Sequence, residues 1–81
     1  MTQLFTLRTG NRPGVLARLS GILAAQGCNI ACASAAPGED NRFSHITLLV
    51  DADERQCNLI ARQMRRIPSV LEIHVEIQAL Q

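Results

Sequence analysis

Two apolar stripes of helical period, each flanked by segments of strand-like composition, restrict this chain to few folds. The first stripe consists of Val15, Leu16, Leu19, Ile22 and Leu23, and the second of Leu59, Ile60, Gln63, Met64 and Ile67. Pro13 suits the first position of the first helix, because its missing N–H has no helical partner there. Gly27 supplies the left-handed residue that ends this helix. The sequence therefore predicts two amphipathic helices.

The second helix carries signals at both of its ends. Asp51 or Asp53 can cap its start, and Asp53 has the spacing of a capping box with Gln56. Pro68 predicts its end. The expected last turn holds the arginine cluster Arg62, Arg65 and Arg66. Cations at this position complement the helix dipole, and a contact with a phosphate or a protein partner is the alternative interpretation.

Four segments have the composition of strands. They are residues 3–9, 29–36, 43–50 and 70–78, and the turn at residues 37–41 joins the middle two in a hairpin. In the last segment Leu71, Ile73, Val75 and Ile77 alternate with Val70, Glu72, His74, Glu76 and Gln78. This period of two predicts a strand that buries the Leu71 set under the helices and exposes the other set.

The resulting order, βαββαβ, has few compact solutions. Right-handed crossovers place both helices on one face of a four-stranded antiparallel sheet, with the first and third strands central. We therefore expect an α+β, ferredoxin-like fold made of one domain over residues 1–81. The second strand, at an edge, consists largely of small residues. It either leaves room for a ligand or a second copy of the chain, or forms a thin edge strand packed under a helix.

Composition excludes several classes of function. Eight arginines against seven acidic residues give a net charge of +1 without a large basic face, so we expect no nucleic-acid partner. No apolar run approaches the roughly 20 residues that span a bilayer, so no membrane segment is expected. The odd number of cysteines and the absence of an N-terminal leader predict a cytoplasmic protein with reduced thiols. Cys28 and Cys32 are interpreted as small buried hydrophobic residues rather than as metal ligands.

No catalytic constellation is recognisable. His45 and His74 fall within predicted strands and are interpreted as surface histidines, and Ser34 and Ser44 have no partner suggested by the sequence. The acidic residues at positions 51, 53 and 54 are explained by the start of the second helix, where the dipole favours them. The turn around Gly10 and Gly14 lacks the pattern of a phosphate-binding loop. We therefore predict no catalytic residues, no metal site and no cofactor in this chain. A small enzyme on the same fold is the least favoured alternative.

The turn at residues 11–16 is the strongest candidate for a ligand site. It brings a proline and a glycine just before the first helix, whose first N–H groups have no intrahelical partner. Gly14 lets a ligand approach these N–H groups without meeting a Cβ. A carboxylate is the group that such a helix start attracts.

With the turn and the βαββαβ order, the chain resembles an ACT domain, and within that family the small regulatory subunits of acetohydroxyacid synthase (AHAS, also called acetolactate synthase). The resemblance covers essentially the whole chain. The residues that carry it are Asn11, Gly14, Val15 and Leu16 in the turn, Gly27, Asn29 and Ile30 at the second strand, and Ala36 and Pro37 at its end.

The resemblance implies a non-catalytic homodimer that activates an AHAS catalytic subunit and binds a branched-chain amino acid, valine foremost, for feedback inhibition. The catalytic subunit would use thiamine diphosphate, Mg²⁺ and FAD. Asn11, Gly14, Val15 and Leu16 would receive the amino acid from one protomer, and Asn29 and Ile30 from its neighbour. The alternative is a free-standing ACT sensor of another amino acid or with another protein partner.

Overall fold

The computed structural model describes residues 2–38 and 40–77. Its elements are β1 (Thr2–Gly10), α1 (Val15–Ala25), β2 (Asn29–Pro37), β3 (Phe43–Asp51), α2 (Glu54–Arg65) and β4 (Val70–Ile77). The predicted order is therefore confirmed, with each strand bound shifted by at most a residue. Gln78, which was predicted to extend the last strand, lies outside the described residues. Within them no helix is both long and apolar enough to cross a membrane.

The sheet has the strand order β2-β3-β1-β4, and all three strand pairs are antiparallel. The first and third strands are central, as predicted. Alternate residues of these strands, such as Phe5, Leu7, Ile46 and Leu48, are buried in one core with the apolar sides of α1 and α2. The opposite face of the sheet is not covered by a helix, and the intervening residues on it are partly or fully exposed. This is the ferredoxin-like arrangement of an α-helical layer on one side of a sheet.

The first helix begins at Val15, so the prediction that Pro13 occupies its first position is wrong. Gly14 is the N-cap residue and adopts a left-handed conformation with φ 82°. The chain therefore turns sharply between Pro13 and Val15 before the helix starts. The predicted end is confirmed, because Gly27 has φ 70° and the Cys28 N–H donates to the Leu23 carbonyl at 3.0 Å.

The predicted alternation of β4 fails at its first residues because of a β-bulge. Arg8 pairs with Glu72 and the adjacent Thr9 pairs with Val70, so Leu71 is an extra residue opposite β1. As a result, Val70 and Leu71 lie on the faces of the sheet opposite to those predicted. Val70 packs against the core, whereas Leu71 is 48% exposed. Ile73 and Val75 do face the core as predicted, and the side chain of Ile77 lies outside the described part.

Four further side chains are less buried than predicted. Leu16 is at the margin of the α1 stripe and is 36% exposed, while Leu59 is only partly buried because Cys57 and Ala61 share the inner face of α2. Cys32 was expected to be buried and is exposed, since the helices do not cover the middle of β2. Cys28 is partly buried.

The capping box of α2 ties this helix to the end of α1. Asp53 Oδ1 accepts from the Gln56 N–H at 2.7 Å, and Gln56 Oε1 accepts from the Asp53 N–H at 3.0 Å. The Gln56 Nε2 also donates to the Gln26 carbonyl at 3.2 Å, just beyond α1. Asp53 thus holds in place a side chain that bridges the two helices.

We predict that Asp53→Ala lowers the free energy of unfolding by about 1–2 kcal/mol, because it removes the cap and frees Gln56. Urea denaturation followed by circular dichroism measures this loss. Glu54→Ala is the matched control, since it removes a neighbouring carboxylate that makes no capping bond and is expected to cost about 0.3 kcal/mol. Equal losses in the two variants would contradict the role given to the cap.

Candidate functional site

The start of α1 is an open helix end. Its N-cap residue, Gly14, has no side chain to cap the helix, and no acidic residue lies in the first turn. In α2, by contrast, Asp53 satisfies one N–H group and Glu54 adds a negative charge. The first N–H groups of α1 are therefore left to an external acceptor. A Cβ built on Gly14 meets nothing within 4 Å, so the approach to these groups is unobstructed.

Asn11 fastens the turn before α1 to the β2–β3 hairpin. Its backbone N–H donates to the Arg42 carbonyl at 2.9 Å, and its Nδ2 donates to the Asn41 carbonyl at 2.8 Å. Its Oδ1 accepts from the Ser44 hydroxyl at 3.0 Å. The Asn11 side chain thus fixes the position of the turn, and its Oδ1 retains one lone pair for a ligand.

The tip of this hairpin is closed by Asp40 and Arg42. Asp40 accepts from the Arg42 backbone N–H at 3.1 Å and from its Nε at 2.7 Å. The Arg42 side chain thereby holds the pKa of the Asp40 carboxyl below its usual value. The carboxylate therefore stays charged at neutral pH and remains an acceptor for Arg42, next to the Asn41 carbonyl that receives Asn11.

The remaining predicted residues of the turn have different environments. Val15 is 6% exposed and packs in the core, so only its backbone faces the helix start. Leu16 is the exposed apolar side chain beside Gly14. The turn thus combines free N–H groups, one amide oxygen and one apolar side chain, which is a set that suits a small amphiphilic anion.

Asn29 and Ile30 lie far from this turn within one protomer. Asn29 pairs with Asp51, whereas Pro37, at the other end of β2, pairs with Ser44 near Asn11. The eight residue steps along β2 correspond to roughly 26 Å. Asn29 is exposed, and Ile30 is partly buried against the core. The six predicted site residues therefore form two groups at opposite ends of β2.

β2 itself is an open edge of the sheet. Among the described strands β2 pairs with β3 alone, and Ile30 is the single residue of β2 that is not exposed. The alternative of a thin strand packed under a helix is therefore wrong for residues 31–37. The bulge at Ala31 is confined to the start of the strand, and the small residues that follow present an unobstructed row of backbone groups.

Both histidines are exposed on the open face of the sheet, as predicted. They line a shallow cleft of about 470 Å³ together with Arg8 and Glu72, which form an ion pair at 2.6 Å. Arg8 also lies 4.6 Å from the centre of the Phe43 ring. Over residues 2–38 and 40–77, His, Cys, Asp and Glu form no group of three or more that could hold a metal ion.

Two of the three thiols, those of Cys28 and Cys57, are at least partly shielded from solvent, whereas Cys32 is exposed. Burial raises the pKa of Cys57 to about 11, and burial also raises the pKa of Cys28. Both groups are therefore protonated at neutral pH and are poor nucleophiles. The described part of the chain thus provides a ligand-binding turn and an open strand edge, but no recognisable catalytic group.

The model of a known protein family matches most of the chain. Residues 5–72 match the model of the AHAS small subunit-like ACT domain. The chain is 31% identical over 67 residues to the acetolactate synthase small subunit of Mycobacterium avium. This alignment covers 83% of this chain and 40% of that protein. It is 27% identical over 73 residues to the acetolactate synthase isozyme 3 small subunit of Escherichia coli K12, covering 90% of this chain and 45% of that protein.

Solved structures show the same fold. The acetolactate synthase small subunit of Thermotoga maritima superposes with a TM-score of 0.79 at 21% identity, over 93% of this chain and 47% of that protein. A homoserine dehydrogenase from Thiobacillus denitrificans contains a similar domain, with a TM-score of 0.77 at 24% identity over 91% of this chain and 16% of that protein. This chain spans less than half the length of the curated relatives described above.

Proposed function

Because the chain belongs to the family of AHAS small subunit-like ACT domains, we propose that it is a non-catalytic regulatory subunit of acetohydroxyacid synthase. It acts as a homodimer in the cytoplasm, activates a catalytic subunit and binds a branched-chain amino acid, valine foremost, as a feedback inhibitor. The thiamine diphosphate, Mg²⁺ and FAD of the reaction belong to the catalytic subunit. The relatives support the regulatory role, and the arrangement of the two half-sites supports the ligand.

The observation that carries this proposal is the position of the two half-sites relative to the β2 edge. If two copies of β2 pair antiparallel about an axis near Ala33, Asn29 of the partner subunit lies opposite Pro37. Pro37 pairs with Ser44, whose hydroxyl donates to Asn11. The same pairing therefore covers both exposed edges and brings each Asn29 to the other protomer's α1 turn.

The chemistry of this composite site suits a small zwitterion. The N–H groups that follow Gly14 receive the carboxylate, and the amide oxygens of Asn11 and of the partner subunit's Asn29 accept from the ammonium group. Leu16 offers apolar contact to a branched side chain. A ligand of about eight heavy atoms at roughly 0.5–1 kcal/mol per atom binds with a dissociation constant between millimolar and micromolar. This is a range suited to sensing a metabolite.

Reconstitution with an AHAS catalytic subunit tests the proposal. Adding this chain is expected to raise the rate of acetolactate formation, and valine is expected to reverse that gain. A coupling free energy of about 1–3 kcal/mol between the two sites would change the activity roughly 5- to 150-fold. Unchanged activity and unchanged valine sensitivity would refute the assignment.

A free-standing sensor of another amino acid, or one with another protein partner, is the second candidate, because the same fold also occurs outside the AHAS small subunits, as in the homoserine dehydrogenase. Calorimetric titration with the twenty amino acids separates the two. Binding of serine or phenylalanine without binding of valine would favour the sensor.

The proposed dimer predicts a cross-link at Cys32. Antiparallel pairing about Ala33 places the two Cys32 residues diagonally on the same face, with Cα atoms about 7–8 Å apart. A short bis-maleimide is expected to give a covalent dimer on a denaturing gel at low micromolar concentration, because Cys32 is exposed while Cys28 and Cys57 are partly or fully buried.

Two variants control for this experiment. Cys32→Ser should abolish the cross-link. In the Cys32→Ser background, Asn58→Cys restores an exposed thiol on α2, far from the proposed axis, and should give no dimer. Equal cross-linking through residue 58 would show random collision, and the pairing of β2 would then lose its support.

A further inference from the structure

The helical layer carries an excess of unpaired positive charge. Of the eight arginines, Arg12 lies in the turn before α1, while Arg8 pairs with Glu72 and Arg42 with Asp40 on the sheet and its hairpin. The arginines on or next to the helices are Arg18, Arg55, Arg62, Arg65 and Arg66. None of these five forms an ion pair with another described residue. The charge of the helices is therefore available to a partner.

Two of these arginines border a groove between the helices. The inter-helix groove, of about 390 Å³, is lined by Arg18, Gly21 and Ile22 of α1 and by Gln63, Arg66 and Ile67 at the end of α2. Ile22 is partly buried and Ile67 is buried, so they form an apolar floor between two exposed cations. An apolar floor with charged margins is typical of a protein-binding groove.

Gly21 has no role in the packing of its own helix. A glycine in the middle of a helix is less favourable than alanine, and a Cβ built at this position meets nothing within 4 Å. Neither crowding nor a positive φ therefore requires glycine here. Its effect is to leave the wall of the inter-helix groove open, so that another chain can approach the α1 backbone.

We propose that the inter-helix groove receives an acidic segment of the catalytic subunit, with carboxylates at Arg18 and Arg66 and an apolar side chain on the floor. This inference rests on the proposed function, and it assigns the surface through which this chain binds the catalytic subunit. Charge complementarity selects an acidic protein segment, and the small apolar floor suits a side chain better than a nucleic-acid backbone. The Arg18 N–H donates to the Gly14 carbonyl at 3.0 Å, so one helical turn connects the groove to the ligand turn.

Charge reversal in this chain tests whether the two arginines of the groove attract the partner. Arg18→Glu with Arg66→Glu is expected to weaken binding to the purified catalytic subunit at least about tenfold, measured by biolayer interferometry. The matched control pair is Arg55→Glu with Arg62→Glu, which makes the same change of net charge on another side of α2. It should stay within about threefold of wild type. Equal weakening by both pairs would overturn the assignment of the groove.

Gly21→Gln tests whether the partner segment approaches the α1 backbone closely at Gly21. Since glutamine favours the helix and meets no neighbour, the melting temperature should rise by about 2–5 °C while the affinity for the catalytic subunit falls about tenfold. A gain in stability with a loss of binding excludes misfolding as the cause. Wild-type affinity in Gly21→Gln would overturn the proposal.

Other occupants give other results. Loss of the homodimer in Gly21→Gln, seen by analytical ultracentrifugation, would mean that the groove receives a second copy of this chain. Binding of DNA that the Arg18 and Arg66 reversals abolish would make it a nucleic-acid surface. Both outcomes overturn the proposal. If wild type does not bind the catalytic subunit at all, the proposed function itself fails.

Discussion

Gly14→Asp is expected to weaken valine binding by about 30- to 150-fold and to make the reconstituted synthase insensitive to feedback. The reason is the open start of α1, where Gly14 leaves the first N–H groups without a cap. An aspartate at this position would place a carboxylate close to where the carboxylate of the ligand is expected. Repulsion between two such charges close to the protein surface amounts to about 2–3 kcal/mol.

Gly14→Asn separates charge from backbone strain. Residue 14 has φ 82°, a conformation that asparagine and aspartate tolerate about equally, so both variants should lose a similar and small amount of folding stability. Asparagine has nearly the same size but no charge, and its loss of valine affinity should be several times smaller. Calorimetric titration measures the affinities, and urea denaturation measures the stabilities. Equal affinities in the two variants, or unaltered inhibition by valine in Gly14→Asp, would place the ligand elsewhere.

The helices were predictable because their signals are local and redundant. The α1 stripe is ended by Gly27, and α2 has both the Asp53 capping box and Pro68. Each of these signals depends on residues within a few positions of one another. The order of elements then limits the sheet to few topologies, so the central position of β1 and β3 followed from handedness alone.

The errors arise where a distant strand decides the local geometry. The bulge at Leu71 depends on how β4 meets β1 near Arg8, and alternation within β4 contains no sign of it. Cys32 is exposed because the helices leave the middle of β2 uncovered, although its small neighbours read equally well as a buried strand. Leu16 fits the apolar stripe by spacing, yet it lies at the margin of the contact between α1 and the sheet.

The candidate site was predictable in parts but not as an assembly. The glycine and the free helix start at residue 14 are local features. The Asn11 side chain donates a hydrogen bond to the Asn41 carbonyl and accepts one from the Ser44 hydroxyl. Both bonds join positions about 30 residues apart, and no periodicity reveals them. They change the interpretation of Asn11, because its side chain first holds the turn against the hairpin and only then offers an oxygen to a ligand.

The most decisive test of a site shared between protomers is complementation between two defective chains. Gly14→Asp damages the α1 half of the site, and Asn29→Ala damages the β2 half, so each homodimer should bind valine poorly. In a mixed dimer, one of the two sites combines the intact Gly14 of one chain with the intact Asn29 of the other. Random mixing by unfolding and refolding together should therefore restore about a quarter of the wild-type sites.

Asn29 is a suitable partner mutation because its side chain is exposed and makes no hydrogen bond with another described residue, so alanine should leave the fold intact. The control is a mixture of Gly14→Asp with a chain that carries both substitutions, in which no combination rebuilds a site. Calorimetry gives the number of high-affinity sites in each mixture. Since Asn11 and Asn29 lie at opposite ends of β2, a single protomer cannot bring both to one ligand, whereas paired β2 edges can. A mixture of the two single variants that binds no better than this control would show that the residues do not meet across the dimer, even if each of them contributes to binding.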